Sequence, residues 1–123
     1  MKRLLVVDDS SMVRQYCRQI GESLGYQVQE AVNGLEGLEQ ALQQSFDLYL
    51  VDINMAKLDG YGFVRELRSR ALPQVPVLMM STEAAADDAF RAYAAGANLF
   101  LTKPVQSARL KACIRLLLGE VPA

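Results

Sequence analysis

Hydrophobic residues along the chain follow two alternating patterns. Short, almost continuous apolar runs are typical of strands that are buried on both faces of a parallel sheet. Between these runs, apolar residues recur at intervals of three and four residues, as they do in amphipathic helices. The predicted strands are Lys2–Val7, Tyr26–Glu30, Leu48–Asp52, Val77–Met80 and Leu99–Leu101.

A helix is predicted after each strand. The first begins after a capping Ser10 or Ser11 and ends at Gly25. The others are predicted over about 35–44, after Gly60, over Ala85–Ala95 and after Pro104. Residues expected to face the core include Met12, Tyr16 and Cys17 in the first helix, Leu35, Leu38 and Leu42 in the second, Phe63, Val64 and Leu67 in the third, Ala86, Ala89, Phe90, Tyr93 and Ala94 in the fourth, and Leu110, Cys113, Ile114 and Leu117 in the fifth.

This alternation predicts one α/β domain over residues 1–123, with a parallel sheet covered by helices on both faces. The second strand alternates polar and apolar residues, which suits an edge of the sheet. With right-handed crossovers, the order 2-1-3-4-5 of a doubly wound, flavodoxin-like three-layer sandwich meets these requirements. Its switch point lies between strands one and three, where ligands of such sheets bind.

The strands end in polar residues that this topology should bring to the switch point. Asp8 and Asp9 follow the first strand, Asp52 ends the third, Ser81 follows the fourth and Lys103 follows the fifth. Crowded carboxylates repel one another unless a cation lies among them. Mg²⁺ suits one or two carboxylates completed by carbonyls and waters, and the backbone carbonyl of Asn54 is close enough in sequence to contribute.

A carboxylate is also a nucleophile toward phosphoryl groups. We therefore hypothesise that Asp52 is phosphorylated, with Mg²⁺ held by Asp8, Asp9 and Asp52. The ammonium of Lys103 and the hydroxyl of Ser81 could bind the other phosphoryl oxygens.

Composition excludes several other kinds of chemistry. The chain has 123 residues, a net charge of −1 and no histidine, which argues against nucleic-acid or membrane partners and excludes histidine-based metal sites and Ser-His-Asp catalysis. No apolar run approaches the ~20 residues of a membrane helix. The two cysteines, Cys17 and Cys113, lie on apolar helix faces and are expected to be reduced, as in a cytoplasmic protein.

Five separated motifs resemble the receiver domains of two-component response regulators, most closely the single-domain receivers of chemotaxis. They are VVDDSS, LVDINM, Asp59-Gly60, VLMMS and TKP, and together they span almost the whole chain. The resemblance implies that Asp52 is the phosphoacceptor and that Asp9, assisted by Asp8, is the main metal ligand. It also implies that Ser81 is a switch hydroxyl, that Lys103 binds phosphate and that the Lys103–Pro104 peptide bond is cis.

The resemblance further implies a switch and a surface for partners. Phe100 lies where the family often has a switch aromatic residue, while Asn54 and Glu83 lie where the family tunes dephosphorylation. Ala56 and Thr82 depart from the proline and the small residue common at their positions. A histidine kinase or phosphotransfer protein would supply the phosphate, and a target protein would bind the fourth helix, fifth strand and fifth helix. Candidate residues on that face are Arg91, Tyr93, Phe100 and Lys111.

Other interpretations remain open. The chain could be a degenerate receiver that binds partners without phosphorylation, or the input module of a larger regulator. An aspartyl-phosphate phosphatase is disfavoured because such enzymes use spaced rather than adjacent aspartates, so no turnover enzyme is expected. Asp8 and Asp9 could simply favour the start of a helix. Gly60-x-Gly62 lacks the third glycine of a dinucleotide motif and follows the wrong strand.

Overall fold

The computed structural model describes residues 1–82 and 86–120. Strands and helices alternate through these residues in the predicted order. The strands are β1 (Arg3–Val7), β2 (Gln27–Ala31), β3 (Leu48–Asp52), β4 (Val77–Ser81) and β5 (Leu99–Thr102). The helices are α1 (Ser11–Ser23), α2 (Gly34–Gln43), α3 (Gly60–Ser69), α4 (Ala86–Ala95) and α5 (Ser107–Leu117).

The five strands form one parallel sheet in the order β2-β1-β3-β4-β5, which confirms the predicted topology. β2 lies at an edge, as its alternating pattern indicated. The chain reverses its direction of winding between β1 and β3. Val7 of β1 pairs with Val51 of β3, so the residues that follow them leave the sheet side by side.

The pleat of the strands divides the apolar residues between two cores. In β1, Leu5 and Val7 face the core that α2, α3 and α4 cover. Leu4 and Val6 face the opposite core, which α1 and α5 cover. Because successive strand residues point to opposite faces, each central strand must be apolar at almost every position. The near-continuous apolar runs of the sequence therefore follow from the helices on both sides.

Short polar side chains begin three of the helices. Ser10 accepts a hydrogen bond from the amide of Val13, which identifies it as the N-cap of α1. Asn33 and Asp59 cap α2 and α3 in the same way, at distances of 2.8 Å. These caps satisfy amides that have no partner within the helix. The pairs Asn33-Gly34 and Asp59-Gly60 therefore mark the starts of α2 and α3.

The predicted inward face of α4 was wrong. Phe90 is 71% exposed and Tyr93 48% exposed, and Ala94 is exposed as well. Asp88, Ala92 and Ala95 are buried instead. Alanine is compatible with either face of a helix, so the two aromatic residues misled the prediction. The small side chains let α4 lie close to the rest of its core.

Three aliphatic residues expected to face the core are also exposed, namely Met12 on α1 and Leu35 and Leu42 on α2. Cys17 is buried and Cys113 is half-buried, and both are free thiols. None of the helices in residues 1–82 and 86–120 combines the length and apolar character that crossing a bilayer requires.

Gly60 brings the start of α3 against the end of β3. Its amide donates a 2.8 Å hydrogen bond to the carbonyl of Ile53. A Cβ at Gly60 would lie 2.3 Å from the carbonyl oxygen of Asp52 and 2.9 Å from the Cα of Ile53. These are backbone atoms, which cannot rotate away. Only glycine fits at this position without displacing the chain that carries Asp52.

We expect Gly60→Ala to lower the free energy of unfolding by about 3 kcal/mol, because the new methyl group collides with fixed backbone atoms. Gly25→Ala is the matched control. Gly25 has a φ of +89° and open space around the missing Cβ, so alanine there adds only left-handed strain of about 1 kcal/mol. Urea denaturation measures both losses, and equal losses would show that the collision is relieved by a small backbone shift.

Candidate functional site

Three carboxylates meet at the carboxyl edge of the sheet. Asp8 follows β1 and Asp52 ends β3, and both are buried, while Asp9 is exposed. One oxygen from each of these three side chains lies within 4.8 Å of the other two. The geometry thus brings together the acidic residues that the topology predicted to converge.

Lys103 supplies a positive charge to this cluster from the far side of β4. Its Nζ donates a 2.8 Å hydrogen bond to Oδ2 of Asp8 and a 3.0 Å hydrogen bond to Oδ1 of Asp52. The side chain of Lys103 is mostly buried. Its backbone amide also donates to the carbonyl of Ser81 at 2.7 Å, and the Lys103–Pro104 bond is cis, as the resemblance implied.

The charges of the cluster are not balanced by its own residues. Burial raises the pKa of Asp52, and the negative charge of Asp8 raises it further, against the opposing effect of Lys103. Burial lowers the pKa of Lys103, but its bonds to Asp8 and Asp52 outweigh this, so the pKa lies above its ordinary value. Lys103 is thus held as an ammonium. The single positive charge of Lys103 does not offset the effects of burial and of the neighbouring carboxylates on the pKa of Asp52.

The residues fit a small divalent cation. All three side chains offer oxygen donors, which Mg²⁺ prefers, and the exposed Asp9 leaves one side of the cluster open to the waters that Mg²⁺ retains. Burial and the negative charges of Asp8 and Asp9 raise the pKa of Asp52, so a positive charge placed beside it would favour its ionised form. Asn54 is exposed in the loop that follows β3, and its carbonyl stays a predicted ligand.

Backbone contacts hold Asp8 in place. Its Oδ1 accepts a 2.9 Å hydrogen bond from the amide of Ser10, and its own amide donates to the carbonyl of Ala31 at 3.1 Å. Its carbonyl accepts a 2.8 Å hydrogen bond from Nη1 of Arg14. Arg14 is not among the site residues predicted from the sequence. A basic residue in the second turn of the helix that follows an acidic pair is the signal that could have drawn attention to it.

The predicted switch residues are distributed around the cluster. Ser81 is fully buried at the end of β4, one residue beyond the partner of Asp52 in the sheet. Thr82 is exposed and lines, beside Lys103, an open and largely apolar groove of about 540 Å³. Phe100 is half-buried against the core beneath α4. Glu83 lies outside the described residues.

Tyr93 and Arg91 lie on α4, away from the carboxylates. The hydroxyl of Tyr93 accepts a 3.2 Å hydrogen bond from the amide of Phe100, which joins α4 to β5. The guanidinium of Arg91 stacks over the ring of Tyr61 at 4.4 Å from its centre. The hydroxyl of Tyr61 in turn donates to the carbonyl of Asp88. These contacts join α4 to β5 and to α3.

Comparisons with known proteins agree with this arrangement. Residues 4–115 match the family model of the response regulator receiver domain. A chemotaxis protein of Vibrio cholerae, CheY4, superposes with a TM-score of 0.89 at 31% identity, covering 95% of this chain and 98% of its own. A receiver domain protein of Methanospirillum hungatei, described as CheY-like, gives a TM-score of 0.90 at 28% identity, covering 97% of this chain and 94% of its own.

Among curated relatives, the transcriptional regulator RpaA of Synechocystis is 33% identical over 96% of this chain and 49% of its own length. A gliding motility regulatory protein of Myxococcus xanthus is 37% identical over 82% of this chain and 13% of its own length. The chain thus spans half or less of the curated relatives it matches. On the family match and the shared fold, this chain belongs to the response regulator receiver domains of two-component systems.

Proposed function

We propose that residues 1–123 form a single receiver domain that accepts a phosphoryl group on Asp52, with the phosphohistidine of a sensor kinase or phosphotransfer protein as donor. The observation that carries this proposal is the position of Lys103, whose ammonium lies between Asp52 and Asp8 at hydrogen-bond distance from both. This arrangement keeps a positive charge beside a buried carboxylate that belongs to a cluster able to hold a cation.

In the proposed reaction, a carboxylate oxygen of Asp52 attacks the phosphorus atom. The new O–P bond forms as the N–P bond of the donor breaks, and its electron pair returns to the imidazole nitrogen, which takes a proton from solvent. Lys103 transfers hydrogen bonds from the carboxylates to the phosphoryl oxygens, and the Ser81 hydroxyl donates another. Mg²⁺ held by Asp8, Asp9, Asp52 and the carbonyl of Asn54 would neutralise negative charge on the phosphoryl group.

We propose that phosphorylation shifts an equilibrium between two conformations of the protein. The conformations differ at the end of β4 and on the face formed by α4, β5 and α5. The contact between the Lys103 amide and the Ser81 carbonyl couples the two strand ends. Tyr93, bonded to the amide of Phe100, is a candidate to transmit the change to a target protein. Arg91 and Lys111 are further candidates on this face, and Glu83 and Thr82 are candidates to control access to the phosphate.

A degenerate receiver that acts without phosphorylation is the second candidate. The observation against it is that Asp8, Asp9 and Asp52 each place a carboxylate oxygen within 4.8 Å of the others, and Lys103 bonds Asp8 and Asp52. We propose a protein target rather than nucleic acid because the chain has a net charge of −1. A cytoplasmic location is proposed because both cysteines are free.

With Mg²⁺ and acetyl phosphate, we expect the wild-type chain to gain one phosphoryl group, as measured by intact mass spectrometry. Asp52→Asn should gain none, because the amide is not a nucleophile, and chelation of the metal should prevent the gain in the wild type. Asp47→Asn is the matched control, since Asp47 is exposed at the opposite end of β3. A phosphoryl group found on another residue would refute the assignment of Asp52.

Lys103→Met should slow the phosphorylation of Asp52 by about a hundredfold at saturating Mg²⁺, because the ammonium that stabilises the transferring group is removed. The control is Lys111→Met, which removes a lysine of α5. The rates can be measured by quenching the reaction at set times and determining the phosphorylated fraction by intact mass spectrometry. Equal rates for Lys103→Met and Lys111→Met would exclude a role of Lys103 in the transfer.

Asp52→Asn should raise the free energy of unfolding at pH 7 in the absence of divalent metal. The pKa of Asp52 is raised in the folded state above its ordinary value of 3.8, so the folded state binds the proton more tightly. The stability that Asp52 contributes is thus present below pH 3.8 and is lost as the pH rises toward the folded pKa. The difference in free energy of unfolding between Asp52→Asn and wild type should become smaller as the pH falls below 4.

Chemical denaturation between pH 3 and pH 8 in the presence of a chelator measures this difference. Asp47→Asn, which removes one carboxylate at the opposite end of β3, is measured beside it as the control. A lower stability of Asp52→Asn at pH 7 would mean that the bond to Lys103 outweighs the cost of burying the carboxylate.

A further inference from the structure

Arg14 connects the acidic loop to the edge of the sheet. Its Nη1 donates a 2.8 Å hydrogen bond to the carbonyl oxygen of Asp8, and its Nε donates a 3.0 Å hydrogen bond to Oε1 of Glu30 on β2. The side chain of Arg14 is 15% exposed, so most of it is shielded from solvent. One planar guanidinium therefore fixes two oxygens on different segments.

Glu30 provides a rigid support for this contact. It lies on β2 opposite Val6 of β1, and its second oxygen accepts a 2.6 Å hydrogen bond from Arg18. The bonds from Arg18 and Arg14 lower the pKa of Glu30, although burial opposes them, so it stays ionised near neutral pH. Each carboxylate oxygen of Glu30 thus bonds a different arginine, and Oε1 is the one that bonds Arg14.

The contact with Arg14 acts on a part of Asp8 that no other described contact reaches. Ser10 and Lys103 bind the two carboxylate oxygens of Asp8, whereas Arg14 binds its main-chain carbonyl. That carbonyl lies in the same rigid plane as the amide of Asp9. A fixed orientation of the Asp8 carbonyl therefore fixes the position of the Asp9 Cα, from which the Asp9 side chain extends.

We propose that Arg14 is a positioning residue for the divalent cation, setting the Asp8–Asp9 peptide so that the exposed carboxylate of Asp9 lies beside Asp8 and Asp52. This inference rests on the proposed function, because it assumes that these carboxylates bind Mg²⁺. The competing interpretation is that Arg14 and Glu30 only fasten α1 to β2. Arg18 distinguishes the two, since among the described residues it bonds Glu30 and Glu22 but not Asp8.

The charge of Arg14 and its positioning role have opposite effects on Mg²⁺ affinity, so an experiment can separate them. The positive charge of Arg14 lies near a cation site and repels the cation. Its removal would by charge alone tighten Mg²⁺ binding, whereas loss of the fixed peptide should weaken it. Contacts that orient metal ligands typically contribute about 10–100-fold to affinity.

The experiment is calorimetric titration of the full chain with Mg²⁺ at pH 7. We expect Arg14→Met to raise the Kd for Mg²⁺ by about tenfold. Arg18→Met, which also removes one positive charge and one bond to Glu30, should keep the Kd within about twofold of wild type. Thermal unfolding with a chelator present shows whether each variant is folded at the titration temperature.

Arg14→Lys keeps the charge, but a single ammonium cannot span Asp8 and Glu30 as the guanidinium does. It should bind Mg²⁺ several-fold more weakly than wild type, and it decides the question if Arg14→Met does not fold. A Kd equal to or below that of wild type in the folded Arg14 variants would overturn the inference. So would an equal loss in Arg14→Met and Arg18→Met.

The wild-type chain separates this inference from the proposed function. If wild type binds no Mg²⁺ and Asp52 is not phosphorylated, the proposed function fails and the inference fails with it. If wild type does both and the Arg14 variants retain its affinity, only the inference fails.

Discussion

The ammonium of Lys103 between Asp8 and Asp52 is the interaction on which the site depends. The sheet topology forces two buried carboxylates to leave adjacent strands side by side, and like charges at that distance in a partly dry setting are unfavourable. Lys103 compensates part of this repulsion from across β4. The three carboxylates still outnumber the one ammonium, which is the charge imbalance on which the proposed cation site rests.

The same contact connects the chemistry of the site to the rest of the molecule. Lys103 follows directly on β5, and its backbone amide is bonded to the end of β4. The backbone of Lys103 thus joins the ends of β4 and β5, while its side chain bonds Asp8 and Asp52. β5 is bonded in turn to Tyr93 of α4, which lies on the outer surface. Lys103 and the outer surface of α4 are therefore joined through β5 by covalent bonds and one hydrogen bond.

The sequence predicted the sheet order and the meeting of Asp8, Asp9, Asp52 and Lys103, because apolar runs locate buried strands and the crossover rule determines their order. It misplaced Phe90 and Tyr93, because a helix rich in alanine offers little contrast between its faces. It also missed Arg14, whose role depends on the register of β2 against β1. That register places Glu30 opposite Val6, where it bonds Arg14; the position of Arg14 after the acidic pair is visible in the sequence, but this pairing is not.

The division of strand residues between two cores has a consequence for how such a chain can vary over evolution. In β3, Leu50 faces one core and Val51 the other. Exchanging one aliphatic residue for another alters a single packing contact, whereas losing one residue from the strand would invert every side chain beyond that point. Asp52 would then leave the sheet on the wrong side. We therefore expect strand length to vary far less than side-chain volume in descendants of this sequence. Insertions should be confined to the connections at the edge where the strands begin, opposite the carboxylates.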